Sequence, residues 1–219
     1  MAGELTQEIL SVVRARLDDL SGERWTDSEL LAGVNAGFLE LAHRLPDAAL
    51  PWLTKEASES LVQGQDAYDL PADLLRERQV LYKGIIAVRW RVAETRALLS
   101  DYIVKNTASE ARPFYRIFGG QIIFSVGGVT QTTGAKYTVR YIRVPREVSL
   151  TVDPDLPAPF WSAVEDYVVA DCLAEAGQTQ LAALHRAHFT EFCKLVTYQW
   201  QNPHLVYDGL PADMALQEA

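Results

Sequence analysis

The sequence predicts an α+β fold: a helical bundle built from both ends of the chain, with a small antiparallel β-sheet inserted between them and an extended C-terminal tail. Three observations predict it. Apolar residues recur at steps of three and four near both ends. β-Branched and aromatic runs fill the middle. A Gly119-Gly120 pair sits between two such runs, where a two-residue hairpin turn needs positive φ. The expected divisions are a helical hairpin over 1–52, the β region over 53–152, C-terminal helices packing on the hairpin over 153–202, and the tail over 203–219.

Ile9, Val12, Val13, Leu17 and Leu20 predict a first helix over 5–20. Ser21-Gly22 breaks it. Trp25-Thr26-Asp27 then caps a second helix whose stripe is Leu31, Val34, Phe38, Leu41 and Leu45, with Pro46 just past its end. After Trp52, residues 57–62 and 67–71 read as short strands around Gly64-Gln65-Asp66, and hence as a hairpin. Asp73 to Arg78 is expected as a helical turn, Val80 to Tyr82 and Ile85 to Val92 as strands, and 93–103 as helix. Pro113 to Val126 forms the Gly119-Gly120 hairpin. A third strand runs from Lys136 to Val144, with Tyr137, Val139 and Tyr141 on the buried face, after a surface loop over 126–134. Asp153-Pro154-Asp155-Leu156-Pro157 is a stiff turn. It leads into a helix carrying Val164, Tyr167, Val168 and Cys172, ended by Gly177. A last helix from Thr179 to Trp200 presents Phe189, Phe192, Cys193, Val196 and Trp200 on one face, and Pro203 ends it.

Composition narrows the function. The chain has 219 residues, 48% apolar and 22% charged, which suits a folded globular protein. A net charge of -9 opposes tight, sequence-independent DNA binding, because Lys and Arg must replace phosphate counterions for that. The acidic start Met-Ala-Gly-Glu lacks the basic region of a signal peptide, and charges interrupt every run approaching the roughly 18 apolar residues of a membrane span. The expected setting is the cytoplasm of a host cell, with no membrane.

Catalytic signatures are missing: there is no phosphate loop, nucleophile elbow or paired-cysteine zinc spacing. Cys172 and Cys193 fit small core side chains. His185, His188, Glu191 and Cys193 share a helical region and could offer metal ligands, but a further ligand is needed that the sequence does not nominate. A solvated or stacked histidine pair is therefore the expectation, with no metal and no cofactor. Asp153 and Asp155 lack the other oxygens of a calcium loop, so turn chemistry explains them better. Tyr115, Phe118, Phe124, Tyr137 and Tyr141 could stack single-stranded nucleic acid, but such a platform sits in a basic groove, so these rings are expected as sheet core facing the helices. Arg116, Lys136, Arg140 and Arg143 would make the outer sheet face locally basic, a surface for a neighbouring acidic subunit.

Taken in order, several segments resemble the head-to-tail adaptor family of tailed bacteriophages, over about residues 5–200. They are Trp25-Thr26-Asp27-Ser28-Glu29-Leu30-Leu31, then Val34-Asn35-Ala36 in a helix ending at Arg44-Leu45-Pro46, and Tyr68-Asp69-Leu70-Pro71-Ala72-Asp73 before a strand. Tyr137-Thr138-Val139-Arg140-Tyr141 with Val144-Pro145 follows, and Leu156-Pro157-Ala158-Pro159-Phe160-Trp161 opens a helix containing Asp166-Tyr167. The family pattern often has an acid after the helix asparagine. Ala36 stands there in this chain, so Asn35 carries over only as a polar position.

The resemblance implies a non-enzymatic structural protein of the virion: a ring of twelve subunits docked below the portal, joining the DNA-filled capsid to the tail. Tail or nozzle and stopper proteins would be its other partners, and genomic duplex DNA would pass through the lumen without specific binding. The tail is expected to reach onto the portal or a neighbouring subunit through Trp200, Leu205, Val206, Tyr207, Leu210 and Met214, apolar anchors too few to form their own core. The rival readings are a tail-completion or stopper protein of the same virion, a metal-dependent hydrolase using His185 and His188, and a nucleic-acid module on the sheet.

Overall fold

A computed structural model describes residues 3–90, 108–127 and 134–202. The expected helix over 93–103, most of the loop over 126–134 and the tail beyond Asn202 lie outside the described residues. The chain divides into two compact units, one of Met1–Trp52 with Pro145–Ala219 and one of Leu53–Val144. Residues 145–152, read from sequence with the β region, thus fall in the helical unit.

The helical unit contains four described α-helices: α1 (Glu4–Arg16), α2 (Asp27–Arg44), α3 (Trp161–Glu175) and α4 (Thr179–Gln201). α1 stops at Arg16 instead of running to 20, and Leu20 is 76% exposed. The cause is Asp19. Its buried carboxylate accepts from the backbone N–H groups of Arg24 (3.2 Å) and Trp25 (2.9 Å) and pairs with Arg14, a geometry that requires the chain to turn there. Burial pushes the Asp19 carboxyl up, but these amides and the Arg14 guanidinium outweigh it and hold it below the ordinary range. α2 opens with a capping box, in which the Thr26 hydroxyl accepts from Glu29 N–H while the Glu29 carboxylate accepts from Thr26 N–H. Its buried stripe begins at Leu30, where the sequence suggested Leu31, and continues through Val34, Phe38, Leu41 and Leu45.

α3 packs against α1, α2 and α4. That central place explains why it is apolar nearly all round, from Trp161 through Val164 and Val168 to Leu173. Its approach to α2 is close because Gly33 and Gly37 face it: a Cβ on Gly37 would lie 3.0 Å from Val164 Cγ1 and 3.2 Å from Tyr167 Cδ1. Gly177, at φ 75°, ends the α3 turn.

Among the described residues, the second unit holds eight strands in two four-stranded sheets. One has the order β1 (Thr54–Ser60), β8 (Lys136–Arg143), β3 (Leu74–Tyr82), β4 (Ile85–Ile86). The other runs β2 (Ala67–Asp69), β7 (Gln121–Ser125), β6 (Phe114–Phe118), β5 (Val88–Arg89). Pairing is antiparallel except between β5 and β6. The Gly119-Gly120 hairpin forms as expected, with φ 59° and 78° and Phe118 opposite Gln121.

Two local expectations are corrected. β1 and β2 do not pair, because β1 lies along β8 from Thr54↔Ile142 to Ser60↔Lys136 while β2 joins β7 in the other sheet. The Tyr68 hydroxyl accepts from Val62 N–H (3.0 Å) and donates to Gln65 O (2.9 Å), making the intervening segment a corner between sheets. Leu74 to Arg78 is strand where a helical turn was expected. A backbone bond from Leu74 N–H to Pro71 O closes a turn, and β3 then pairs with β8 through two register irregularities.

The rings were expected to face the helices. Instead Tyr68, Tyr82, Tyr115, Phe124, Tyr137 and Tyr141 form one core with Val80, Ile122 and Val139, drawn from both sheets. Phe124 and Tyr137 meet edge-on at 5.3 Å, and Tyr82 lies 5.1 Å from Phe124. Phe118, at the hairpin tip, is 73% exposed.

Candidate functional site

The histidine pair singled out in the sequence acquires its missing neighbour from α3. His185 and His188 stand one turn apart on α4, and Asp166 faces them: His185 Nδ1 lies 2.7 Å and His188 Nδ1 4.0 Å from Asp166 Oδ1. These three side chains could in principle supply three ligands to a divalent cation. Glu191 and Cys193 do not join them. Glu191 points toward Lys194 at 3.7 Å, and Cys193 is buried with its thiol pushed up to about 11 by desolvation.

A cation is already present in the form of Arg16. Its guanidinium reaches across from α1 to the same Asp166 oxygen at 3.0 Å and to Glu165 Oε2 at 2.9 Å. Glu165 is buried, so desolvation pushes its carboxyl up. Arg16 opposes that shift, and neighbouring Asp166 adds to it. Arg16, Glu165, Asp166 and His185 form a polar tie among α1, α3 and α4, and it accounts for the position of His185. The sequence signal that could have found it is the Glu165-Asp166 pair inside an otherwise apolar helix, since buried acids require a partner.

Two further ties hold the helical unit together. The Asp153 carboxylate accepts from the N–H groups of Leu5 (3.0 Å) and Thr6 (3.4 Å), capping α1, whose own Gly3 offers no side chain. Thr6 Oγ1 donates to Val152 O at 2.9 Å. Asn35, read only as a polar position, makes a reciprocal pair with one residue: Nδ2 donates to Val148 O (3.1 Å) and Oδ1 accepts from Val148 N–H (2.8 Å). Asp155 accepts from Arg146 N–H at 2.7 Å. Both acids of the 153–157 turn therefore serve backbone capping.

The Leu156-Pro157-Ala158-Pro159-Phe160-Trp161 segment is a 3-10 turn leading into α3. Trp161 Nε1 donates to Leu156 O at 2.8 Å, and Phe160 packs edge-on against Trp52 and Phe192. Beside it Leu5, Trp52, Pro157 and Trp161 line a shallow groove of about 450 Å³.

The locally basic sheet face divides in two. Lys136, Arg140 and Arg143 lie on β8, and Arg116 lies on β6 of the other sheet, 5.3 Å from the Trp90 ring. Arg140 is paired across the strands with Glu56 (2.7 Å), and Lys55 with Asp73 (2.8 Å). Of the six predicted tail anchors, Trp200 sits half-buried on α4, and the other five lie outside the described residues.

Against known proteins, the family model of the SU10 adaptor protein matches residues 6–206, spanning both units. No curated protein matches the chain.

Proposed function

This chain belongs to the SU10 adaptor protein family, a phage head-to-tail adaptor family, and from that premise we propose that it is a non-enzymatic ring subunit docked beneath the portal. The observation that carries the reading is the reach of the family match, residues 6–206, which takes in nearly all of the described helices and strands of both units. Twelve copies would surround a lumen for the genome. A net charge of -9 supports passage without capture, since an acidic wall repels phosphate. His185, offered by one rival reading to a hydrolytic metal, is hydrogen-bonded to Asp166, which also pairs with Arg16 in a tie that orients helices.

The tail supplies the contact with the portal or the adjacent subunit. Its apolar anchors are Trp200 at the end of α4 and Leu205, Val206, Tyr207, Leu210 and Met214 beyond it, too few to form a core of their own and suited to burial on a partner. Assembly would take place in the host cytoplasm, ahead of the tail or nozzle proteins. Among the described residues no helix is long and apolar enough to cross a membrane.

The test mixes the purified chain with its cognate portal and images the product, alongside a variant lacking residues 203–219. Rings below the portal that disappear with the truncation are the expected result. A chain that ignores the portal and closes the end of an adaptor-bearing particle would instead be the stopper one layer further down.

A further inference from the structure

α4 carries two stripes. Ala182, Phe189, Cys193 and Val196 face the core. The second stripe, roughly 140° away around the axis, is Leu181, Leu184, His188, Glu191, Leu195 and Tyr198, whose steps of three and four are those of a coiled-coil seam. Its four apolar members are all 47–50% exposed. Side-chain exposure is 55% at His188 and 76% at Glu191.

We propose that the free protein pairs with a second copy of itself through this stripe, as a two-fold antiparallel helix dimer. The stripe is its own complement when reversed. Antiparallel alignment places Leu181 opposite Tyr198, Leu184 opposite Leu195, and His188 opposite Glu191, each layer occurring twice. The apolar ends cover one another, and the polar centre matches an imidazole with a carboxylate. A parallel alignment would set Glu191 on Glu191, which like charges disfavour, and would give His188 no carboxylate partner. Exposed Ala183 and Ala187 flank the stripe and let the helices approach.

This contact is separate from ring formation and does not rest on the adaptor reading. A closed ring repeats one head-to-tail interface between unlike surfaces, whereas a two-fold contact joins like surfaces and closes at two copies. One helix pair is smaller than the interface of a permanent dimer, so affinity on the order of micromolar is expected, weak enough to open during assembly.

The experiment has two arms on the full chain. Sedimentation equilibrium from low to high micromolar concentration should show wild type approaching twice the chain mass, with Leu184→Glu and Leu195→Glu staying monomeric at unchanged circular dichroism. Separately, Leu184→Cys and Leu195→Cys proteins are oxidised alone and as a mixture. The mixture should give several-fold more disulfide-linked dimer than either alone, and the native thiols, buried and pushed up to about 11, compete little. Three results would each overturn the proposal: wild type monomeric throughout, dimers indifferent to both glutamates, or self-crosslinking of one cysteine variant that exceeds the mixture. Failure in both arms would leave portal docking untouched, because that is read from a different complex.

Discussion

Replacing Asn35 with alanine should destabilise the helical unit far more than an ordinary change on a partly exposed helix position. The Asn35 amide is the partner of both the N–H and the C=O of Val148, a residue only 2% exposed. Alanine removes two hydrogen bonds and strands two buried backbone groups, each costing about 1–3 kcal/mol. Better helix propensity returns about 0.5 kcal/mol, and partial hydration of the loosened segment lowers the cost further, so a net loss of about 2 kcal/mol is expected. Urea unfolding followed by tryptophan fluorescence reads this unit well, because Trp25, Trp52, Trp161 and Trp200 belong to it and only Trp90 does not. Asn35→Asp gives a second reading. It keeps the acceptor for Val148 N–H but sets a carboxylate against Val148 C=O, so its loss at neutral pH should diminish at acid pH, relative to wild type, as the carboxyl gains a proton to donate. A loss within about 0.5 kcal/mol for Asn35→Ala, the range of a neutral surface change, would refute the reasoning.

Three other perturbations follow from the same structure. Gly37→Leu must push a side chain into the space held by Val164 and Tyr167, and overpacking of this kind costs about 1–3 kcal/mol; an unchanged urea midpoint would contradict the close α2–α3 approach. Cys172 and Cys193, buried and with thiols pushed up to about 11, should react with an aromatic disulfide reagent only as fast as the protein opens, and rapid labelling of the native protein would place them nearer the surface than they are here. Burial, together with donation to Asp73 (2.7 Å), pushes the Tyr141 phenol up from 10.0 to about 12. The folded state therefore holds this proton more tightly than the unfolded chain, so the contribution is complete below pH 10 and is lost as pH rises toward about 12. Tyr141→Phe should flatten that alkaline decline in a pH series of urea midpoints, and an equally steep decline in the variant would assign it to other groups.

The parts of the fold legible in the sequence are those set by neighbours along the chain. Trp25-Thr26-Asp27 marks a helix start, Gly119-Gly120 a hairpin, and the alternation of Tyr137, Val139 and Tyr141 a strand with one buried face. Strand partners are a different matter. A period of two says which face is buried but not which strand lies alongside, so β1 and β2 looked like a hairpin when each belongs to a different sheet. The site was half legible for the same reason. His185 and His188 are one helical turn apart and visible as a pair, whereas Arg16 and Asp166 reach them only through the packing of α1 and α3. An arginine inside a helix expected to run to residue 20 reads equally well as a solvated surface charge.

The polar ties are distributed with a purpose that the apolar core alone could not serve. The helical unit is assembled from two stretches of chain separated by the whole of Leu53–Val144. Apolar burial drives the two stretches together but is non-directional, and a helix such as α3, apolar nearly all round, would pack in several rotations at similar cost. Asn35 with Val148, Asp153 with the first turn of α1, and Arg16 with Glu165 and Asp166 each join one stretch to the other through groups that accept a single geometry. Every one of them sits where a wrong rotation or a slipped register would leave a buried polar group unpaired, which costs more than the bond itself contributes. Their role is therefore to select one arrangement of helices among many that bury equal area, and a subunit of the proposed ring, presenting the same surface in every copy, would need that selection more than additional stability.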